Sequence, residues 1–278
     1  MGVQARIVLW TADPAQAERA AQAAYERLAE VERALSDWLV DGELAQLESR
    51  AGDGPVEVSA DLGACVGRAL ELARATDGAF DPTLGPLTKL WRAARASGVA
   101  PSAAAIEEAR ARTGWWRVEL DPAARTVRLE RGMQLDFGAI GKGFGADRAL
   151  ETLREHGIER ALVALAGDHA LGAAPPGESG WTIQVGRERR KLTLAWCGVS
   201  ASGDAEQFLD VEGARFSHVL DPRTGLGLVG QPEVALVAGD AATADALATA
   251  LNVVGPDGFG ALLGQFPGSR AYTDPRKP

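Results

Sequence analysis

Residues able to do chemistry gather in four short segments of this chain. The first, residues 136–147 (DFGAIGKGFGAD), sets four glycines around Lys142, one of only four lysines. Bare amides on a glycine-rich turn entering a helix can approach an anion, and Lys142 adds a point charge. Both common phosphate fingerprints fail here. Gly143 stands where a P-loop needs Ser or Thr, and Gly141, Gly143 and Gly145 lack the dinucleotide spacing. Taken alone, the segment favours a tight structural turn, because glycines often serve only backbone geometry.

The second segment is ADALATAL, which spaces Asp245 and Thr249 by one helical turn and so puts both oxygens on one face. A carboxylate and a hydroxyl, completed by a carbonyl and waters, suit Mg²⁺. The plainer alternative is a solvated Asp245 and a space-filling Thr249. The third, SHVLDPRTG (217–225), carries a turn signature at Asp221-Pro222 and Thr224-Gly225. His218 before it is a candidate general base or a hydrogen-bonded structural residue, and Arg223 either binds phosphate or is simply exposed. The fourth, ASGDAEQF (201–208), offers a Ser202-Gly203-Asp204 turn without the G-x-S-x-G of a nucleophile elbow.

Elements must hold these segments in place. A strand is expected over 5–11, then a helix from Asp13-Pro14 to about 35, with further helices over 62–76 and 102–112. Paired strands over 118–120 and 126–130 flank Asp121-Pro122, and a helix over 146–156 follows the glycines. An apolar strand over 161–165 ends at Ala166-Gly167-Asp168. Residues 181–185 and 192–196 alternate as a hairpin, 234–238 is a buried strand, and 242–253 a helix. Strands in hairpins with helices between them indicate an α+β fold with antiparallel sheets and packed helices, in one compact domain over 1–278.

The formal charge of −9 argues against nucleic acid or an anionic membrane as the main partner. No stretch is long and apolar enough to form a transmembrane segment, and no signal-peptide pattern follows Met1. Cys65 and Cys197 lack metal-ligand spacing and favour a reducing compartment, so the expectation is a cytoplasmic protein as given.

Taken together and in order, these segments resemble the FAD:protein FMN transferases, the ApbE-type flavin transferases. Also matched are Met1-Gly2-Val3, the stretch 36–47, FDPTLGPLTKLW (80–91), a GGD-like end at Ala166-Gly167-Asp168, Trp181 and the Val-Val-Gly-Pro after ADALATAL. The resemblance spans nearly the whole chain. It implies one α+β domain that binds FAD and uses Mg²⁺ to split its pyrophosphate. FMN then passes to a Ser or Thr hydroxyl of an acceptor protein, and AMP leaves. It further implies Asp245 and Thr249 as metal ligands with the Gly141 carbonyl as a third. By the same resemblance, Gly138, Lys142, Gly143 and Asp168 would face FAD, and Asp221 and Thr224 would lie near its phosphate or flavin. His218 accepts the hydroxyl's proton, with Asp204 as the competing base. Departures from the family pattern are Ala166 for the first glycine of GGD, Gly42-Glu43 for Ser-Glu, Glu48 for Asn, and Ala205 for a bulkier residue. Two alternatives share the same residues: a Mg²⁺-dependent FAD pyrophosphatase giving FMN and AMP, and a non-catalytic FAD-binding protein.

Overall fold

The computed structural model describes residues 2–186, 189–203, 208–211 and 214–273. Local signals account for most helix starts. After β1 (Ala5–Leu9), α1 (Pro14–Leu35) begins where Asp13 accepts a hydrogen bond from the Ala15 amide at 2.9 Å, with Pro14 in the first turn. Next come α2 (Glu43–Ser49), β2 (Val56–Glu57) and α3 (Ala60–Ala75), the last capped by Ser59. α4 (Gly85–Ser97) ends where Gly98 takes a φ of 72°, and Ser102 caps α5 (Ala103–Arg110). β3 (Glu119–Asp121) and β4 (Thr126–Arg128) pair as expected, around a turn in which Asp121 accepts the Ala123 and Ala124 amides.

The second half supplies most of the sheet. α6 (Gly141–Glu155) precedes β5 (Ala161–Leu165) and β6 (Asp168–Leu171). β7 (Trp181–Val185) and β8 (Arg190–Leu194) form the expected hairpin. Then come β9 (Cys197–Ser202), β10 (Phe208–Val211), β11 (Ala214–Leu220), β12 (Gly227–Val229) and β13 (Val234–Ala238). α7 (Ala241–Val254), α8 (Phe259–Leu263) and β14 (Arg270–Thr273) complete the described chain.

Six strands join in the order β1-β5-β6-β9-β13-β14, and every neighbouring pair is antiparallel. The fold is therefore α+β, as the hairpin pattern indicated. Alternation along β5 explains its wholly apolar sequence. Val163 and Leu165 pack with α1 and α6, while Leu162 and Ala164 pack with Trp181 and Ile183 of the β7–β8 hairpin. β13 is covered on both faces in the same way. α7 lies inside this assembly and is buried at nearly every position, Asp245 included. Burying leucines such as Leu247 and Leu251 stabilises the helix by about 1.5–3 kcal/mol each, which is ample to carry one carboxylate inward.

One expectation is corrected. The helix does not start at 146 after a flexible turn; α6 starts at Gly141 and contains Gly141, Gly143 and Gly145. Glycine disfavours helix by about 1 kcal/mol, but packing overrides that here. A Cβ on Gly143 would sit 2.1 Å from the Ala241 carbonyl oxygen, so only glycine lets α6 and α7 approach this closely. Helix α4 is also present where no helix was expected.

Candidate active site

Lys142 stands in the first turn of α6, where α6, β6 and α7 meet. Its Nζ donates to the Gly138 carbonyl at 2.8 Å and lies 3.4 Å from Oδ2 of both Asp168 and Asp245. The Gly143 amide donates to the same Asp245 oxygen at 3.2 Å. Asp168 starts β6 and accepts a hydrogen bond from the Ser200 hydroxyl of neighbouring β9. Two carboxylates, 2% and 5% exposed by residue, thus share one ammonium.

Burial, then the adjacent Asp168 charge, pushes the Asp245 carboxyl above the usual carboxylate range, against the pull of Lys142 and the Gly143 amide. Burial opposes the Lys142 charge too, but Asp245 and Asp168 outweigh it and raise its pKa above the usual lysine range. The ammonium stays charged. A carboxylate held this far from water gains from any further cation placed beside it.

The metal-ligand candidates run down one side of α7. Thr249 is half-buried one turn after Asp245, and Val253 follows one turn later. Asp245 and Thr249 offer hard oxygen donors, which fit Mg²⁺ better than softer metals. Among the described residues, no three His, Cys, Asp or Glu side chains cluster as a metal cage. Gly141 is buried as the first residue of α6, and its amide donates to the Phe137 carbonyl at 2.6 Å. Its carbonyl can accept a second partner because a carbonyl oxygen has two lone pairs.

The turn after β11 lies toward the other end of α7. Arg223 reaches the Val253 carbonyl at 3.4 Å, eight residues or about 12 Å along the axis from Asp245. Asp221 accepts the Arg223 amide at 2.9 Å and its guanidinium at 2.9 and 2.8 Å. Burial works against ionisation of Asp221, but these bonds prevail and hold it below the usual carboxylate range. Thr224 is exposed, and its hydroxyl receives the Leu226 amide at 3.3 Å. His218 is half-buried on β11. Asp204, Ala205 and residues 187–188 of the basic run lie outside the described residues.

The structure therefore brings Gly138, Lys142, Gly143, Asp168 and Asp245 into one bonded group, with Thr249 one turn away. It does not bond Asp221 or Thr224 into that group. Both backbone groups of Gly138 have protein partners, since its amide donates to Asp136 at 2.7 Å.

Several contributors carried no chemical signal in sequence. Ser200 binds Asp168, and Asn252 of α7 donates to the carbonyl of Ser202, the last residue of β9, at 3.1 Å. Asp147 caps α7 by accepting the Ala241 and Ala242 amides at 3.0 and 2.9 Å. FDPTLGPLTKLW acts as a clamp. The Pro82 carbonyl accepts the Asp136 amide, Gly85 packs on the Gln134 backbone, and Trp91 donates to the Gly225 carbonyl at 2.8 Å. The departures also find places. Glu48 accepts from Lys89 at 2.8 Å and from the Leu135 amide at 3.0 Å, anchoring the chain that enters 136–147. Ala166 is held at a φ of 52°, which explains a glycine preference there.

The ApbE family model matches residues 1–273. A FAD:protein FMN transferase of Treponema pallidum is 35% identical over 96% of this chain and 80% of its own length. One from Klebsiella pneumoniae is 33% identical over 95% and 84%. Among solved structures, the ApbE protein of Thermotoga maritima superposes with a TM-score of 0.86 at 30% identity, covering 98% of this chain and 91% of that one. The Pseudomonas stutzeri flavinyl transferase ApbE superposes at 0.84 with 26% identity, covering 99% and 92%. A match along the whole chain, together with the same fold, shows that this chain belongs to the ApbE family.

Proposed function

We propose that this chain is a flavin transferase that moves FMN from FAD to an acceptor protein. In its finer form, the reaction is Mg²⁺-dependent, the acceptor is a Ser or Thr hydroxyl, and AMP is the leaving group. The observation that carries the reading is the sharing of Lys142 between buried Asp168 and Asp245, at the start of a helix pair built around Gly143. The convergence of α6, β6 and α7 on it supports reading residues 1–278 as one domain. The free thiols Cys65 and Cys197 support a cytoplasmic setting. Among the described residues, no helix is long and apolar enough to cross a membrane.

Asp245, Thr249 and the Gly141 carbonyl would hold Mg²⁺. When bound, the ion would offset charge on the pyrophosphate and on the departing phosphate oxygen. The remaining work falls to the chain. Lys142 adds a fixed positive charge and keeps Asp168 and Asp245 in register. The acceptor hydroxyl attacks the phosphorus of the FMN half, and the bond from that phosphorus to the bridging oxygen breaks. AMP leaves with the electron pair. His218, or alternatively Asp204, takes the hydroxyl proton. Gly138, Gly143, Asp221 and Thr224 shape the walls around FAD.

The test is incubation with FAD and Mg²⁺, with and without a flavin-acceptor domain. AMP release is followed chromatographically, and flavin attachment by fluorescence on a denaturing gel. Labelled acceptor plus AMP is expected. AMP without label, given a cognate acceptor, would make the protein a pyrophosphatase, and FAD binding without AMP would make it a non-catalytic binder.

A further inference from the structure

A cavity of about 520 Å³ opens on the face of α6 turned away from Lys142. Phe144, Asp147, Arg148 and Glu151 line it at three- and four-residue spacing, roughly opposite Lys142 around the helix axis. Arg68 of α3, Arg154 of α6 and Trp196 line it as well. The size falls within the usual range for small-molecule sites.

The charges in this cavity are not all spent. Both Asp147 oxygens are taken by the Ala241 and Ala242 amides. Asp240 is engaged by the Thr243 amide and hydroxyl and by Arg68 at 3.3 Å, and Arg68 also donates to Glu71 at 2.9 Å and to the Thr243 hydroxyl at 2.6 Å. Glu151 pairs with Arg148 at 2.7 Å, and the Arg148 guanidinium also lies over the Phe144 ring, 4.8 Å from its centroid. Among the described residues no carboxylate pairs with Arg154. Its guanidinium instead lies over the Trp196 indole, 5.0 Å from the ring centroid.

Trp196 itself is unusual. It is 55% exposed and held at a φ of 56°, a conformation that bulky residues adopt rarely. Its amide donates to the Gly172 carbonyl at 3.1 Å, which holds the backbone that carries the indole. Strain that presents an aromatic ring and an unpaired guanidinium to a cavity is the kind that binding sites keep.

We propose that this cavity is a second ligand site, for a small planar anion: an aromatic ring bearing a phosphate or a carboxylate. The ring stacks on the Trp196 indole, and the anionic group meets the Arg154 guanidinium, the cavity cation without a carboxylate partner among the described residues. The proposal does not depend on the flavin-transfer reading.

Calorimetry of the full-length protein without divalent ions tests it, using UMP, benzoate, uridine and inorganic phosphate as probes. UMP is expected to bind saturably, with affinity reduced at least tenfold in Arg154→Ala and in Trp196→Ala. Asp245→Ala should leave that binding unchanged, and Arg154→Ala should leave flavin transfer unchanged. Benzoate binding without UMP binding supports the site with a carboxylate as its anion. Failure of both probes overturns it, and so does UMP binding that survives Arg154→Ala. Inorganic phosphate or uridine binding as tightly as UMP also overturns it, because ring and anion must act together. Thermal melts of both variants confirm that any loss is not unfolding.

Discussion

Lys142 lies 3.4 Å from Asp245, joining the first turn of α6 to the middle of α7 across residues far apart in sequence. Asp168 stands at the same distance on the other strand-borne side. One ammonium thereby stabilises two buried carboxylates, and its loss would leave both without their partner. Lys142→Met is expected to destabilise the protein by about 3–5 kcal/mol. Urea denaturation at pH 8, compared with the wild type, measures this; an unchanged midpoint would refute the assigned role.

Asp245→Ala and Thr249→Ala are expected to lower Mg²⁺-dependent AMP release from FAD by about 100-fold or more. Titration with Mg²⁺ should show weakened binding in both variants. Turnover at the wild-type level in Asp245→Ala would sink the metal assignment.

Gly143 and Gly141 should respond in opposite ways. Gly143→Ala puts a methyl against the Ala241 backbone and is expected to cost about 1–3 kcal/mol or more. At Gly141 the nearest atom to an added Cβ is the Phe137 Cβ at 3.5 Å, an ordinary contact. Gly141→Ala should therefore be neutral or stabilising by up to about 1 kcal/mol, with transfer retained. Thermal melts and activity assays on the two variants give the comparison.

Ala166→Gly is expected to stabilise the protein by about 0.5–1 kcal/mol, because Ala166 holds a left-handed φ that glycine adopts freely. A lower melting temperature for this variant would contradict the strain argument.

The Asp147 carboxyl gives a pH signature. Burial pushes it up to about 6, although the Ala241 and Ala242 amides oppose the shift. Its folded pKa lies above the unfolded value, so the native state holds more protons between about pH 4 and 6. The stability this group contributes is present at acid pH and is lost as pH rises through 6. Measured against Asp147→Asn, the wild type should lose about 2–3 kcal/mol of relative stability over that interval. A difference independent of pH would show that Asp147 is not raised.

Sequence alone was enough for the α+β class, the hairpin pattern and the starts of α1, α3, α5 and α7, because caps such as Asp13 and Ser102 and alternation in 181–185 are local signals. It was also enough for the candidate pair on α7, since Asp245 and Thr249 share a face through helical period alone. The start of α6 was not legible. Three glycines oppose helix locally, and only the close approach of Gly143 to Ala241 makes helix the better state. Nor did any spacing reveal that Asp168 and Lys142 meet Asp245, or that Ser200 supports Asp168. Those contacts link residues dozens to a hundred positions apart. They exist because β6, β9, α6 and α7 pack around one core and bury the same carboxylates together, which is a property of the tertiary structure and not of any one segment.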